Sequence, residues 1–487
     1  MTTPIDVLTA VLGFEPDPSA SFFDAGGDSV RAVDFAAAAR DAGFELELAD
    51  VFLAPTIADL VSRVRPAGAE PVAVAEDVSV APLSLPQQHL LHLEARTSPH
   101  IRFVPEYSYE IEGPLDEAAL AAALDDVARA HPALRTTIRL DGPTPAQVLA
   151  EEPAFGLEVR EVPDDELLPE TYAVAREVIE PDADALWRLT LLRTPRRWSL
   201  VVLVHHIVVD GWGMGVFFRA LSEAYAARRA GAPPPARQPW VYAEFAHEEQ
   251  ERQASGAYAR DVDYWVELTG RRVIDWGRRR GPGRTESFDA VATRVRLGAS
   301  EAAQIAHLAQ VSKTSVATVV GAVSSRALAA VSGDEDVVTA EDVARRDATN
   351  ANVIGFYSNG RVSRVQAPPG RRVTELAADL WDQRLRSLPH LGAQLEDVGC
   401  ASVGDSEYPP VLVSLYNERQ DPPRFEGCAV RPIDVPRPRR LRRALNVSWW
   451  PVGDGYDLVV AQQVRTLVDG TAEAVAAAVV DVLRSSS

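Results

Sequence analysis

Apolar positions along the chain recur with two different periods. From Trp198 to Val204 the residues are almost wholly apolar and rich in β-branched side chains, which predicts a strand buried on both faces. Asp210-Gly211 breaks that run. Beyond the break, apolar side chains at 214, 217, 218, 221 and 225 repeat at the spacing of one helix face, so a helix is predicted over Trp212–Ala230. The same reading predicts helices over Leu115–Arg129, Ala302–Ala330 and Thr374–Arg386, and strands over 104–111, 198–205, 336–340, 410–416 and 444–450. Interleaved elements of both kinds indicate an α/β or α+β architecture.

The pattern changes at residues 66–80, where Ala, Pro and acidic residues dominate without turn or strand punctuation; this segment reads as a linker. Fully extended, it spans about 50 Å, enough for a small domain to swing across a larger one. Residues 1–65 form the small domain and 81–487 the large one. Since ~400 residues exceed what a single core supports, two lobes are expected, 81–255 and 256–487, with a cleft between them as the default active site.

Charge and composition narrow the function. The formal net charge of −21 excludes a non-specific nucleic-acid binder, which needs a basic face. No apolar run approaches the ~20 residues of a membrane span and no signal-peptide pattern opens the chain, so a cytoplasmic protein is expected; a monomer is expected as well. The two cysteines, Cys400 and Cys428, read as free thiols with no zinc site around them. The small domain carries eleven acidic residues against four arginines, a surface suited to docking on basic ground. Two arginine clusters, Arg278-Arg279-Arg280 with Arg284 and the run from Arg437 to Arg443, read as solvated loops or as landing ground for an acidic carrier.

Candidate chemistry concentrates in two places. His205-His206-Ile207-Val208-Val209-Asp210-Gly211 sets two imidazoles and a carboxylate at a strand–loop–helix junction. Adjacent strand residues face opposite ways, so one histidine faces a cavity while the other is satisfied internally. Ser29, in Phe22-Phe23-Asp24-Ala25-Gly26-Gly27-Asp28-Ser29-Val30, precedes an alanine-rich helical stretch ending at Gly43. A helix N-terminus there offers N–H groups and positive dipole to a phosphodiester on the serine oxygen, although Asp28 or Ser29 as a simple N-cap is the common alternative.

The string around Ser29 resembles the attachment site of peptidyl carrier domains of nonribosomal peptide synthetases, FFxLGGDSL, with Ala25 and Val30 as mild departures. The segment from His205 to Gly211 resembles the HHxxxDG motif of the condensation domains of the same synthetases. Further motifs follow the family's order: Ser84-Leu85-Pro86-Gln87-Gln88, His131-Pro132-Ala133-Leu134-Arg135-Thr136, Tyr242-Ala243-Glu244-Phe245-Ala246, Tyr264-Trp265 and Ile354-Gly355-Phe356-Tyr357-Ser358-Asn359. Two departures stand out: Gly213 replaces the usual Ser after DGW, and Ala461–Thr466 stands where a YNTDLFD-like stretch is usual.

The resemblance implies a four-helix carrier bundle with 4′-phosphopantetheine on Ser29, followed by two chloramphenicol-acetyltransferase-like lobes in a V around a tunnel. The implied reaction is attack of an amine on a carrier-bound acyl or peptidyl thioester, giving an amide. His206 is then the candidate proton acceptor, His205 packs behind it, and Asp210 pairs with an arginine, for which Arg135 is the candidate. Gly211, with Trp212 behind it, allows close approach of substrate and offers its N–H to the oxyanion, while Asn359 lines the tunnel, supports the lobe crossover or simply serves a turn. Without an adenylation domain, and with chain ends that look natural, the chain is expected to stand alone. Its partners are then a phosphopantetheinyl transferase, a loading enzyme or upstream synthetase in trans, and an acceptor carrier protein or free amine. Epimerisation of the carrier-bound thioester and a non-catalytic recruitment platform are the alternatives. The first is disfavoured by Gly211-Trp212-Gly213-Met214 and by Val413–Asn417, the second by the intact dyad; heterocyclisation is excluded because it requires aspartates in place of the histidines.

Overall fold

A computed structural model describes residues 2–67, 79–97, 103–274, 288–398, 411–416, 421–436, 439–464 and 466–486. The small domain is a bundle of four helices, Pro4–Leu12, Ser29–Asp41, Leu48–Leu53 and Ile57–Arg63. Leu8, Phe22, Phe35, Val51, Ile57 and Leu60 fill its core. Its last residues are not linker: Arg65–Pro66 pairs antiparallel with Phe44–Glu45. At the far side Val80–Pro82 is a strand paired with Ala146–Leu149. The expected linker therefore shrinks at both ends, and its middle lies outside the described residues.

The large domain is built on two main sheets. In the first, Ala429–Pro432, Glu106–Glu112, Trp198–Val204, Trp187–Arg193 and Leu157–Glu161 lie side by side in that order. In the second, the order is Ala290–Leu297, Gly455–Gln463, Leu445–Val452, Val411–Leu415, Asp336–Ala344 and Ser358–Gln366. Trp198–Val204 is central in the first sheet and buried from Ser199 onward, which is why it reads as an unbroken apolar run. Helices Glu117–Ala130 and Gly211–Arg229 cover the first sheet, and Val316–Ser332, Val373–Ser387 and Thr471–Ser485 pack together in the second lobe.

Two sequence expectations are corrected here. The lobes are not consecutive in sequence: Ala429–Pro432 extends the first sheet beside Glu106–Glu112, and Ile354, Phe356, Tyr357, Phe425 and Val435 belong to the first lobe's core. The single helix predicted over Ala302–Ala330 is two, Ala299–Ser312 and Val316–Ser332, bent by 103°. Lys313 takes a left-handed conformation (φ 53°) as the C-cap of the first, and the Ser315 hydroxyl caps the second by accepting from Thr318 N–H. Apolar periodicity passes through such a break because both helices bury the same kind of face. No single helix among the described residues is long and apolar enough to cross a membrane.

Candidate functional site

The strand Trp198–Val204 ends in a single 3-10 turn, His206–Val208, and the helix Gly211–Arg229 starts three residues later. Asp210 is the N-cap of that helix, its Oδ1 accepting from Gly213 N–H at 2.7 Å. The two histidines part at the turn. His205 is fully buried; its Nδ1 accepts from Ile207 N–H (3.1 Å) and its Nε2 lies 3.1 Å from Glu94 Oε2. His206 is only partly covered, with Nδ1 2.6 Å from the Val209 carbonyl and its ring edge-on to Phe356 at 5.0 Å. A carbonyl oxygen only accepts, so the His206 proton sits on Nδ1 and Nε2 keeps its lone pair. Burial pushes the His206 pKa below the usual imidazole range, against the opposing pull of the Val209 carbonyl and the Asp210 carboxylate.

Asp210 does not pair with Arg135. Its Oδ1 is 2.5 Å from Arg346 Nη2, both side chains being fully buried, and its Oδ2 accepts from Tyr357 N–H at 2.9 Å. Arg346 also donates to the carbonyls of Asn350, Val353 and Gly355. Arg135 is spent elsewhere: it follows the 3-10 turn Pro132–Leu134 and holds the Ala150 and Glu151 carbonyls beside the strand Ala146–Leu149. Gly211 is the first residue of the helix, and Trp212 donates its indole N–H to the Ala351 carbonyl at 2.8 Å. Asn359 is not among the residues lining the cavity described below; it stands where the chain passes from the first lobe's core at Tyr357 into the second sheet, and its amide donates to the carbonyls of Leu391 (2.7 Å) and Ala393 (2.9 Å), bracing that loop.

The remaining motifs form the scaffold of the histidine turn. Gln87 donates to the Ile207 carbonyl at 2.9 Å, inside the turn itself. Tyr242 donates its hydroxyl to the Phe356 carbonyl (2.8 Å) and meets Ser84 Oγ at 2.9 Å, so three segments distant in sequence converge. Gly213 is required by the same packing, since a Cβ there would come within 2.9 Å of Val209 Cγ2 and 3.2 Å of the Gly355 backbone. Glu94 and Arg346 carry no motif signal of their own. They hold the turn from positions 111 and 136 residues away.

The carrier-like bundle rests on the second lobe and the helix start at Trp212. Trp381 packs against Phe23 (5.1 Å) and Phe52 (6.2 Å), and Val33 and Ala37 cluster with Ala351 and Trp212. Arg40 donates to the Ala348 carbonyl at 3.0 Å. Among the described residues, aromatic and apolar side chains and the Arg40 hydrogen bond make this seam. Asp28 caps the helix Ser29–Asp41 by accepting from Arg31 N–H (2.8 Å), and Ser29 is the first residue of that helix. Next to it, Val30 and Val33 line a cavity of 530 Å³ whose other walls include Trp212, Glu249, Arg345 and Arg384. Buried charge in this wall is paired: Glu341, flanked by Arg361 and Arg384, is held below the usual carboxylate range by the two guanidinium groups in spite of burial.

Of the arginine clusters, Arg439 and Arg440 are exposed, whereas Arg442 lies over the Phe103 ring at 5.1 Å and Arg443 is buried, so the second cluster is solvated only in part; Arg278, Arg279, Arg280, Arg284 and Arg437 lie outside the described residues, as does Cys400. Among the described residues no group of His, Cys, Asp and Glu is placed to hold a metal ion.

Comparison with known proteins follows the same division. A family model described as the condensation domain matches residues 78–405, and one described as the phosphopantetheine attachment site matches residues 5–64. The probable nonribosomal peptide synthetase CymA of Salinispora arenicola is 31% identical over 398 residues, 78% of this chain and 5% of CymA. Surfactin synthase subunit 1 of Bacillus subtilis is 25% identical over 392 residues, 77% of this chain and 11% of that protein. The chain thus spans a small part of each relative's length. Among solved structures, the X-domain from teicoplanin biosynthesis superposes with a TM-score of 0.72 at 21% identity, covering 86% of this chain and 97% of that one. The first condensation domain of the calcium-dependent antibiotic synthetase gives 0.65 at 22% identity, covering 83% and 95%. At these identities the likeness shows the fold.

Proposed function

Because the chain belongs to the condensation-domain family and carries a phosphopantetheine attachment domain in front, we propose that it transfers an acyl or peptidyl group from Ser29-linked phosphopantetheine to an amine, forming an amide. The cofactor fits the residues present. Ser29 opens a thirteen-residue helix whose dipole favours a phosphodiester, and Val30 and Val33, beside it, border the 530 Å³ cavity an arm would enter. When bound, phosphopantetheine would supply the thiol on which a loaded acyl group is carried as a thioester, already activated toward amines.

In the reaction a C–N bond forms at the thioester carbonyl, the C–S bond breaks, and the proton lost by the amine ends on the thiol. His206 Nε2 takes that proton or orients the amine as it attacks, a role that needs the neutral imidazole which burial favours. His205, Glu94, Gln87, Asp210 and Arg346 act by fixing His206 in place. The observation that carries the reading is the His206 tautomer, set by the Val209 carbonyl, in a chain whose attachment serine stands beside a cavity walled by both lobes.

Carrier and condensation domains together imply interaction with a phosphopantetheinyl transferase and with other synthetase domains. A loading enzyme or upstream synthetase acting in trans supplies the donor, and a carrier-bound or free amine accepts it. Intact-protein mass spectrometry tests this directly: the transferase should add phosphopantetheine to the wild type and not to Ser29→Ala, and a loaded chain should release its acyl group as an amide on addition of amine. A loaded chain that hydrolyses at the same rate with and without amine would overturn the proposal.

A further inference from the structure

The chain returns from the first lobe to the second between the strands Ala429–Pro432 and Leu445–Val452, and the return segment is fastened to the second sheet. The Arg439 carbonyl accepts from Ala290 N–H and Leu441 N–H donates to the Phe288 carbonyl, both at 2.8 Å. The Gln463 amide donates to the carbonyls of Leu441 (2.7 Å) and Arg442 (3.3 Å). The Arg442 backbone therefore moves with the second sheet. Its side chain reaches the other lobe: the guanidinium lies over the Phe103 ring at 5.1 Å, and Phe103 belongs to the first lobe's core.

Phe103 is also bonded to the histidine turn. Its carbonyl accepts the His206 N–H at 2.7 Å, so one residue is held at its ring by the second lobe and at its main chain by the candidate base. At the far end of the turn, Asp210 is held by Arg346 and donates its N–H to the Gly355 carbonyl at 3.0 Å. That end is anchored in the first lobe, because the segment after Arg346 runs into Ile354, Phe356 and Tyr357 of the first core. The His206 end is the one tied to the second sheet. A cation over an aromatic face is attracted by the ring quadrupole, more strongly as the pair loses water; Phe103 is buried and Arg442 partly so.

We infer that Arg442 is a positioning residue for His206: it carries the placement of the second sheet through the Phe103 ring and carbonyl to the His206 main chain, so that the base is aimed only while the two lobes hold this arrangement. This rests on the reading of His206 as the base, and it adds what fixes its direction. His206 Nδ1 is bonded to the Val209 carbonyl within the same turn, so a turn displaced at its first N–H carries Nε2 off line as well. Small misplacements of a reacting group cost rate steeply.

Hydrogen exchange at single amides of the full chain reads the Phe103–His206 bond directly, and amide formation from a loaded chain reads its consequence. Arg442→Met keeps the length of the side chain and removes the charge. It is expected to quicken exchange at the His206 amide about fivefold and to slow amide formation by a similar factor, the weight of one cation–π contact, with exchange at the Asp210 amide unchanged. Arg442→Lys, which keeps a cation over the ring, should recover most of both, and Phe103→Leu, which keeps apolar cover without a ring face, should reproduce Arg442→Met. Exchange at His206 unchanged in Arg442→Met, equal quickening at His206 and Asp210, or quickened exchange with undiminished amide formation would each overturn the inference. A His206→Ala chain that turns over as the wild type does would instead count against the proposed reaction, leaving the exchange comparison readable.

Discussion

His205 and His206, adjacent in sequence, hold opposite neutral tautomers. The Ile207 N–H points at His205 Nδ1, so the proton of that ring is on Nε2, facing Glu94; the Val209 carbonyl faces His206 Nδ1, so its proton is there and Nε2 is left as the base. The pair therefore divides its work by hydrogen bonding, one ring fixing the turn and the other presented for chemistry.

That division separates the effects of the two alanine variants. His206→Ala should leave the denaturation midpoint nearly unchanged and lower the rate of amide formation by roughly 10²-fold, the lower end for general base catalysis because a thioester is already activated. His205→Ala removes a buried ring and orphans Glu94, so it should cost about 1–3 kcal/mol of stability, with loss of activity following the loss of structure. Wild-type turnover of His206→Ala with a loaded donor would remove His206 from the chemistry.

The pH dependence follows from two histidines held below their ordinary range. Burial lowers His206, so amide formation should stay level from neutral pH downward past 6.5 and fall only at more acid pH, the rate profile giving an acid-limb pKa below that of free imidazole, about 6.5. Burial takes His131 down to about 4. Between about 6.5 and 4 the unfolded chain binds a proton there that the folded chain does not, so stability is complete above that window and declines as pH falls through it, by up to about 3 kcal/mol from this residue. Urea midpoints at pH 7.5 and 5 should differ less in His131→Asn than in the wild type.

Asp210 and Arg346 should behave as one unit. Asp210→Asn places an amide among the N–H donors of Gly213, Tyr357 and Arg346 and leaves the guanidinium charge buried and unpaired. A loss of about 3–5 kcal/mol is expected. In a cycle of Asp210→Ala, Arg346→Ala and the double variant, the double should lose clearly less than the sum, since either single change strands a charge. Additivity within about 0.5 kcal/mol would mean that the pair is not coupled.

Much of this site is legible in the chain itself, and the rest is hidden for a physical reason. The buried strand Trp198–Val204 and the capped helix beyond it announce themselves through periodicity and through Asp210-Gly211, so the turn between them could be placed. Ser29 at a helix start is read from Asp28 and the helical run after it, because capping is a local affair. Arg346 and Glu94 are invisible by the same logic. Their meaning lies in where the topology brings them, and Arg135, nearer to a recognisable motif, was the wrong arginine. The strand Ala429–Pro432 is missed as a first-lobe element because four largely exposed residues carry too short a pattern to say which sheet edge they join. The Lys313 break is missed because a single left-handed residue leaves the apolar period intact on either side.

The contact between Trp381 and the pair Phe23 and Phe52 yields a last prediction, about the docked carrier. An aromatic contact contributes about 0.5–1.5 kcal/mol beyond its area, and a tethered domain rebinds from an effective concentration in the millimolar range, so docking here is a balance that one side chain can tip. Trp381→Ala should shift about a tenfold share of molecules from docked to undocked. Small-angle scattering should record a larger radius of gyration. The rate of acyl transfer from the Ser29-linked donor should fall with it, and a cautious control is Phe52→Leu, which keeps apolar cover over the bundle core while removing the ring. If both variants scatter and react as the wild type does, the Trp381 contact is not what delivers the donor to the cavity.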